Sequence, residues 1–201
     1  MLYRQVRNNT KARSNILHQS CNWDGVFTDQ EVDRIAAYCA AKEAKVATVS
    51  AEAAVSEIRK SRIAFLNRDN ETAWIFDKLN NAIDTLNDTF YNFELNGYDS
   101  IQYGEYHAEE GGKYDFHMDT FLNQNGDIRK LSLSMLLNEP GVDFEGGEFQ
   151  INVSREENAK TVEMKKGRIL FFPSFLIHRV APVTKGVRKS LVIWVTGPKF
   201  R

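Results

Sequence analysis

The sequence predicts an α+β chain, mainly β, with helices in the N-terminal half and a barrel or sandwich of short strands after them. Three observations predict it. Apolar residues recur at helical spacing in two stretches ahead of residue 98. From residue 98 onward, short apolar or alternating runs are separated by Gly, Asn and Asp, the signature of many strands joined by turns. No internal repeat, low-complexity segment or linker divides the 201 residues. One domain over 1–201 is therefore the simplest organisation, with 1–97 as helical support and 98–201 as the β-rich core.

Residues 1–20 are polar and without period; they fit either a docked strand or a loose arm. Asn22 to Phe27 is rich in turn formers. Thr28 precedes Asp29, Gln30 and Glu31, and Thr-x-x-Glu is a capping box in which each side chain satisfies the other residue's free backbone N–H. Val32, Ile35, Ala36 and Cys39 follow at helical spacing, so a first helix is expected at about 29–43. The segment 40–60, rich in Ala, Glu and Lys, fits a helix or a lid equally well. Arg62 to Leu66 reads as a strand. Asn70 is placed to cap a second helix carrying Trp74, Ile75, Leu79, Ile83 and Leu86, continuing to about Phe93. Strands are then expected at 99–107, 114–118, 130–138, 147–153, 160–164, 168–172, 177–182 and 188–196.

Apolar residues are 42% and charged residues 26% of the chain, which is ordinary for a globular protein. The formal net charge of -1 and the lack of a basic run weigh against nucleic acid as a partner. Nothing in the composition demands a membrane surface, and no apolar run reaches the length of a span. Met1 to Arg13 is basic but has no apolar core after it, unlike a secretory signal. The two cysteines, Cys21 and Cys39, are too few for a disulfide framework and read as free thiols of a reducing compartment. The expected location is cytoplasmic; the oligomeric state is not legible.

Of four histidines, two stand in informative places. In His117-Met118-Asp119, residues two apart on a strand share a face, so imidazole and carboxylate converge. A histidine from a distant strand would complete a two-histidine, one-carboxylate facial triad, which leaves open positions on iron(II) for oxygen chemistry. His178, at the end of the apolar run Phe171 to Ile177, is the natural third member. A lone histidine there reads more simply as a satisfied core residue, and HxD by itself is common by chance. Arg188 shifts the balance. It opens the run Leu191 to Val195, ten residues after His178, and a hairpin would return it beside that histidine. An arginine starting a buried strand needs an anionic partner, and its fork suits the distal carboxylate of a dicarboxylic cosubstrate. The competing reading is a surface arginine paired with a local acid.

Four stretches carry a family resemblance. Gln102 to Tyr106 with Gly111 to Asp119 resembles the HxD region of the prolyl 4-hydroxylase-like Fe(II)/2-oxoglutarate-dependent oxygenases, most of all the PKHD-type hydroxylases of the bacterial and phage branch. Leu131 to Asn138 and Glu145 to Phe149 are similar to that family's central strand and Gly-Gly hairpin. Gly167 to Ser174 leading to His178, and Gly186 to Leu191, match its C-terminal signature. The resemblance covers about 60–200 and implies a double-stranded β-helix, a jelly roll buttressed by the N-terminal helices. It implies Fe(II) on His117, Asp119 and His178, with 2-oxoglutarate chelated there and held at its far end by Arg188 and Tyr106. Gln102 shares the strand face of Tyr106, and Trp194 matches a pocket tryptophan; core packing explains Tyr106 and Trp194 nearly as well. Gly146 and Gly147 are expected to permit the hairpin without a chemical role.

The activity so implied is hydroxylation of a C–H bond, with O2 consumed, succinate and CO2 as coproducts, and ascorbate as reductant. The leading substrate is a prolyl residue in a peptide or protein. Alternatives are a free amino acid or other small molecule, nucleic-acid demethylation, a zinc hydrolase or cupin-type isomerase on the same triad, and a silent jelly-roll module. Arg155, Arg179 and the loop Phe121 to Asp127 are candidates for the substrate entrance.

Overall fold

The computed structural model describes residues 20–42, 44–47, 55–152 and 158–200. The expectations for residues 1–19, for part of the 40–60 segment and for Arg155 lie outside the described residues.

The first helix, α1 (Asp29–Ala40), begins as expected. The Glu31 N–H donates to Thr28 Oγ1 at 3.3 Å and the Thr28 N–H to Glu31 Oε2 at 2.8 Å, so both members of the box are made. The long helix α3 (Ala73–Leu86) starts differently. Asn70 does not cap it. Asp69 does the work, its Oδ1 accepting the N–H groups of Glu71 and Thr72 at 2.9 and 3.0 Å. A wider turn over Asn87–Tyr91 carries the chain on to Asn92, whose φ of 53° ends it close to the expected limit. A single turn, α2 (Val55–Ile58), lies between the two helices.

The strands are β1 (Cys21–Trp23), β2 (Lys45–Val46), β3 (Arg59–Lys60), β4 (Arg62–Leu66), β5 (Gly97–His107), β6 (Lys113–His117) and β7 (Ile128–Leu136). They continue with β8 (Phe144–Gly146), β9 (Phe149–Asn152), β10 (Lys160–Val162), β11 (Ile169–Pro173), β12 (Ile177–Val180) and β13 (Val183–Gly197). The expected strands are all present, the one at 147–153 as β9, and β8 is a short addition ahead of it. The stretch expected to be turn-rich turns at Asp24 to Phe27, but its first residues belong to β1, which pairs with β11 through Cys21 to Phe171. Pairing with an existing sheet edge overrides the local turn chemistry.

Among the described residues the strands form two sheets. The larger runs β1-β11-β7-β13-β5-β4-β2, with β8 attached to the start of β13; the smaller runs β10-β9-β12-β6-β3. The chain changes sheet at Ser61, since β3 pairs with β6 while β4 pairs with β5. Their stacking, with N-terminal helices against one face, is the jelly roll that the motifs imply.

Alternation along the larger sheet divides two interiors. Ile101, Tyr103, Leu131, Leu133, Met135, Ile169, Phe171, Leu191 and Ile193 point outward to Val32, Ile35, Leu79 and Ile83 of the helices, making the main core. The intervening residues point toward the smaller sheet. There a second cluster of Leu136, Phe149, Leu170, Phe172 and Val180 surrounds a polar stripe of Gln102, Ser132, Ser134, Arg188 and Ser190. The helices thus supply the apolar burial that the site-bearing face cannot.

Leu79→Ala, at a site 1% exposed in that core, should lower unfolding free energy by about 2–5 kcal/mol in urea titration. Burial pushes the Cys39 thiol up to about 12, so iodoacetamide at pH 8 should leave it unmodified in the native protein and alkylate it only after unfolding.

Candidate active site

His117 ends β6 and His178 lies on β12, directly opposite it in antiparallel register. Facing residues of paired strands share a face, and the two rings stand 4.2 Å apart, centre to centre. Asp119 follows two residues after His117, its N–H anchored on the Ser174 carbonyl at 2.9 Å. Its Oδ1 lies 3.6 Å from His117 Nε2 and its Oδ2 lies 3.5 Å from His178 Nε2. The three ligand atoms fall within 4.8 Å of one another, the one such cluster among the described residues.

The protonation of this cluster follows from its surroundings. His117 Nδ1 is 2.7 Å from the Asp115 carbonyl and His178 Nδ1 is 2.9 Å from the Leu176 carbonyl. A carbonyl only accepts, so each Nδ1 carries a proton and each Nε2 is the ring nitrogen turned to the shared point. Burial, then the neighbouring His178, pushes the His117 pKa down to about 4, so the ring is neutral at neutral pH. Burial alone would raise the Asp119 carboxyl, but His178 and His117 outweigh it and hold the group below its usual range. Two imidazoles and one carboxylate form a donor set suited to a divalent cation. Asp119 Oδ2 is buried with no hydrogen-bond partner in the protein, as a metal ligand would be.

Arg188 faces this cluster from the other sheet. A hairpin beside His178 was expected and is not what forms. The start of β13 turns across to pair with β8, and from Val187 the strand joins β5, so that Arg188 sits opposite Tyr106. It reaches the pocket by facing His178 across the barrel. Arg188 is only 1% exposed. Its Nε donates to the Gly147 carbonyl and its Nη1 to Ser190 Oγ, both at 3.0 Å, while Nη2 has no partner. No acid pairs with it among the described residues, and burial pushes its pKa down to about 10, which leaves it charged at neutral pH. A buried cation with one free donor fits a carboxylate.

The other expected residues also converge here. Tyr106, Gln102 and Trp194 line the same pocket, with the Tyr106 ring 5.5 Å from the guanidinium carbon of Arg188. Trp194 Nε1 is buried on the side of the Asp119 carboxyl, whose pKa it helps to lower. Gln102 accepts a hydrogen bond of 2.6 Å from Arg59 Nη2. Arg179 is not among the pocket residues; it donates to Gln150 and stacks over Phe116. Phe121, from the loop named above, does line the outer groove.

Several pocket residues escaped the sequence reading. Ser190 and Val192 alternate with Arg188 and Trp194, and period two would have found them. Tyr114, stacked on His117 at 3.5 Å, and Phe149, stacked on His178 at 5.3 Å, looked like ordinary core residues. Arg59 came from a segment with no readable period.

Gly147 has more than a turn-forming part. At φ 67° its absent side chain leaves room for Arg188, and a Cβ there would lie 2.8 Å from Arg188 Cδ.

With that geometry in place, the likeness to known proteins has a physical basis. Residues 101–196 match the 2OG-Fe(II) oxygenase superfamily. Curated relatives include a PKHD-type hydroxylase of Idiomarina loihiensis, 40% identical over 87 residues, and one of Colwellia psychrerythraea, 37% identical over 86. The aligned stretches cover 43% and 42% of this chain, and 38% of each relative's length. Among solved structures, a Pseudomonas putida prolyl-4-hydroxylase superposes with a TM-score of 0.71 at 21% identity, covering 90% of this chain and 94% of that one. A viral collagen prolyl hydroxylase from Paramecium Bursaria Chlorella virus-1, in its 2OG complex, gives 0.66 at 20% identity, covering 89% and 96%. These likenesses share the fold. The resemblance drawn from the motifs is therefore borne out, as is the jelly roll it implied.

Gly147→Ala should cost about 2 kcal/mol in chemical denaturation, from left-handed strain and crowding of Arg188. An unchanged midpoint would mean that Arg188 has slack to move.

Proposed function

We propose that this chain is an Fe(II)- and 2-oxoglutarate-dependent dioxygenase that hydroxylates a prolyl residue in a peptide or protein. One observation carries the reading furthest. Two imidazoles and a carboxylate sit in the same pocket as a buried arginine that has a free donor and, among the described residues, no acid beside it.

In this reading His117, Asp119 and His178 hold the metal, and Arg188 holds the distal carboxylate of the cosubstrate. Bound Fe(II) with 2-oxoglutarate and O2 supplies the oxidant for the C–H bond, with succinate and CO2 as coproducts. The protein's own part is orientation and exclusion of water. The Asp115 and Leu176 carbonyls hold each imidazole in one tautomer. The Gly147 carbonyl and Ser190 hydroxyl fix two corners of the Arg188 fork and aim the third into the pocket. Phe149 and Phe172 wall His178 from solvent, and Tyr114 covers one face of His117. Tyr106, opposite Arg188 in register, would stand beside the cosubstrate's distal carboxylate, and Gln102 and Trp194 line the same pocket.

Prolyl chemistry is supported by the relatives: the solved neighbours include prolyl hydroxylases, one from Trichoplax adhaerens held in complex with a hypoxia inducible factor peptide fragment. Ascorbate is the expected reductant, and no helix among the described residues is long and apolar enough to cross a membrane. The readings as a zinc hydrolase or a silent module lose ground to Arg188, for which neither has a use.

The test is succinate formation from 2-oxoglutarate with Fe(II), ascorbate and O2, with and without a proline-rich peptide. Peptide-stimulated succinate with a 16-dalton gain on the peptide is the expected result (one oxygen atom, about 16). Absence of succinate from metal-loaded protein would overturn the oxygenase reading. His117→Ala and Asp119→Ala should each abolish turnover and metal retention with the fold intact by circular dichroism. Arg188→Ala should raise the apparent KM for 2-oxoglutarate about ten-fold to a hundred-fold, the equivalent of a lost charge-assisted contact.

A further inference from the structure

A second buried cation stands at the mouth of this pocket. Arg59 is 9% exposed and lies where the chain leaves the smaller sheet for the larger. Its Nε donates to Ser61 Oγ at 2.8 Å and its Nη2 to Gln102 Oε1 at 2.6 Å, and its guanidinium carbon is 4.7 Å from the centre of the Tyr114 ring. All three neighbours are neutral. Among the described residues no carboxylate lies within ion-pair distance of it. Nearby arginines differ: Arg129 is paired with Asp99, its Nε 2.8 Å from Oδ2, and Arg62 with Glu110. A guanidinium this far from water, set only against neutral groups, has its charge uncompensated.

We propose that Arg59 is a specificity-determining residue that binds a carboxylate of the substrate, so that the oxidised residue stands beside an acid. The inference rests on the oxygenase reading and narrows its substrate class. Charge balance supports it. A metal dication, the Asp119 carboxylate, the Arg188 cation and the 2-oxoglutarate dianion cancel, so Arg59 is left as the one cation that a substrate anion would match. Position supports it too. Arg59 lines both the metal pocket and an adjoining open groove of about 440 Å³. That groove is flanked by Phe65, Met118 and Phe121, each about half exposed, and by the neutralised Asp99–Arg129 pair. A segment lying along these apolar side chains and reaching the metal pocket passes Arg59. The carboxylate has two sources: an acidic side chain next to the target in a peptide, or the target's own carboxylate when it is a free amino acid.

The experiment is isothermal titration into protein loaded with Mn(II) and 2-oxoglutarate, which binds without turnover. The probes are three matched pairs: blocked pentapeptides centred on Asp-Pro and Asn-Pro, the same with Pro-Asp and Pro-Asn, and free L-proline with L-prolinamide. The acid of at least one pair should bind about ten-fold tighter than its amide, as expected for a charge-assisted contact. The pair that discriminates identifies the source. Arg59→Met should bring that ratio to near unity, and Arg59→Lys should retain part of it. Because each ratio is internal to one protein, a general loss of affinity cannot mimic the effect. Equal affinities in every pair, no binding by any probe, or a ratio that survives Arg59→Met would each overturn the proposal. The preceding step of the same titration, 2-oxoglutarate into Mn(II)-loaded protein, separates the two readings: no heat there sinks the oxygenase, whereas heat there without acid discrimination sinks only the role of Arg59.

Discussion

Arg188 is the constraint around which the rest is arranged. A guanidinium that is 1% exposed and lacks an acidic partner among the described residues is costly to fold. The structure accepts that cost by dividing its labour. The outer face of the larger sheet packs wholly apolar residues against α1 and α3, while the inner face is given over to Arg188, Ser190, Gln102 and the serines of β7. The helices have no contact with the chemistry. Their part is to provide the burial that lets a polar, charged face exist in the interior.

The same constraint explains the local oddities. Gly147 is left-handed and without a side chain because Arg188 Cδ occupies the space a Cβ would fill. The start of β13 leaves its expected hairpin and pairs with β8, which places Arg188 across the barrel from His178 instead of beside it. The two histidines sit opposite each other on neighbouring strands of the smaller sheet, so the metal-ligand candidates and Arg188 come from opposing walls.

Much of this was legible in the sequence because period two carries so much of it. The alternation in Leu131 to Met135 and the apolar run Leu191 to Val195 located strands, and the spacing of His117 and Asp119 put both on one face. The capping box at Thr28 gave the start of α1 directly. Other features depend on partners far away in the chain. Asn22 and Trp23 look like a turn until β11 offers an edge. Asn70 looks like a cap until Asp69 is seen to accept both free N–H groups. Arg59 carried no signal at all, since its role follows from a change of sheet at Ser61 that no local pattern encodes.

The central claim is that one pocket holds a divalent iron and an oxoacid together. Anaerobic absorption spectroscopy reads this most directly, because an oxoacid chelating Fe(II) gives a visible charge-transfer band without turnover. Addition of 2-oxoglutarate to the Fe(II)-loaded protein should produce that band, and the Asp119→Ala protein should not show it. A protein that retains its iron and shows no spectral change at saturating 2-oxoglutarate would contradict the account.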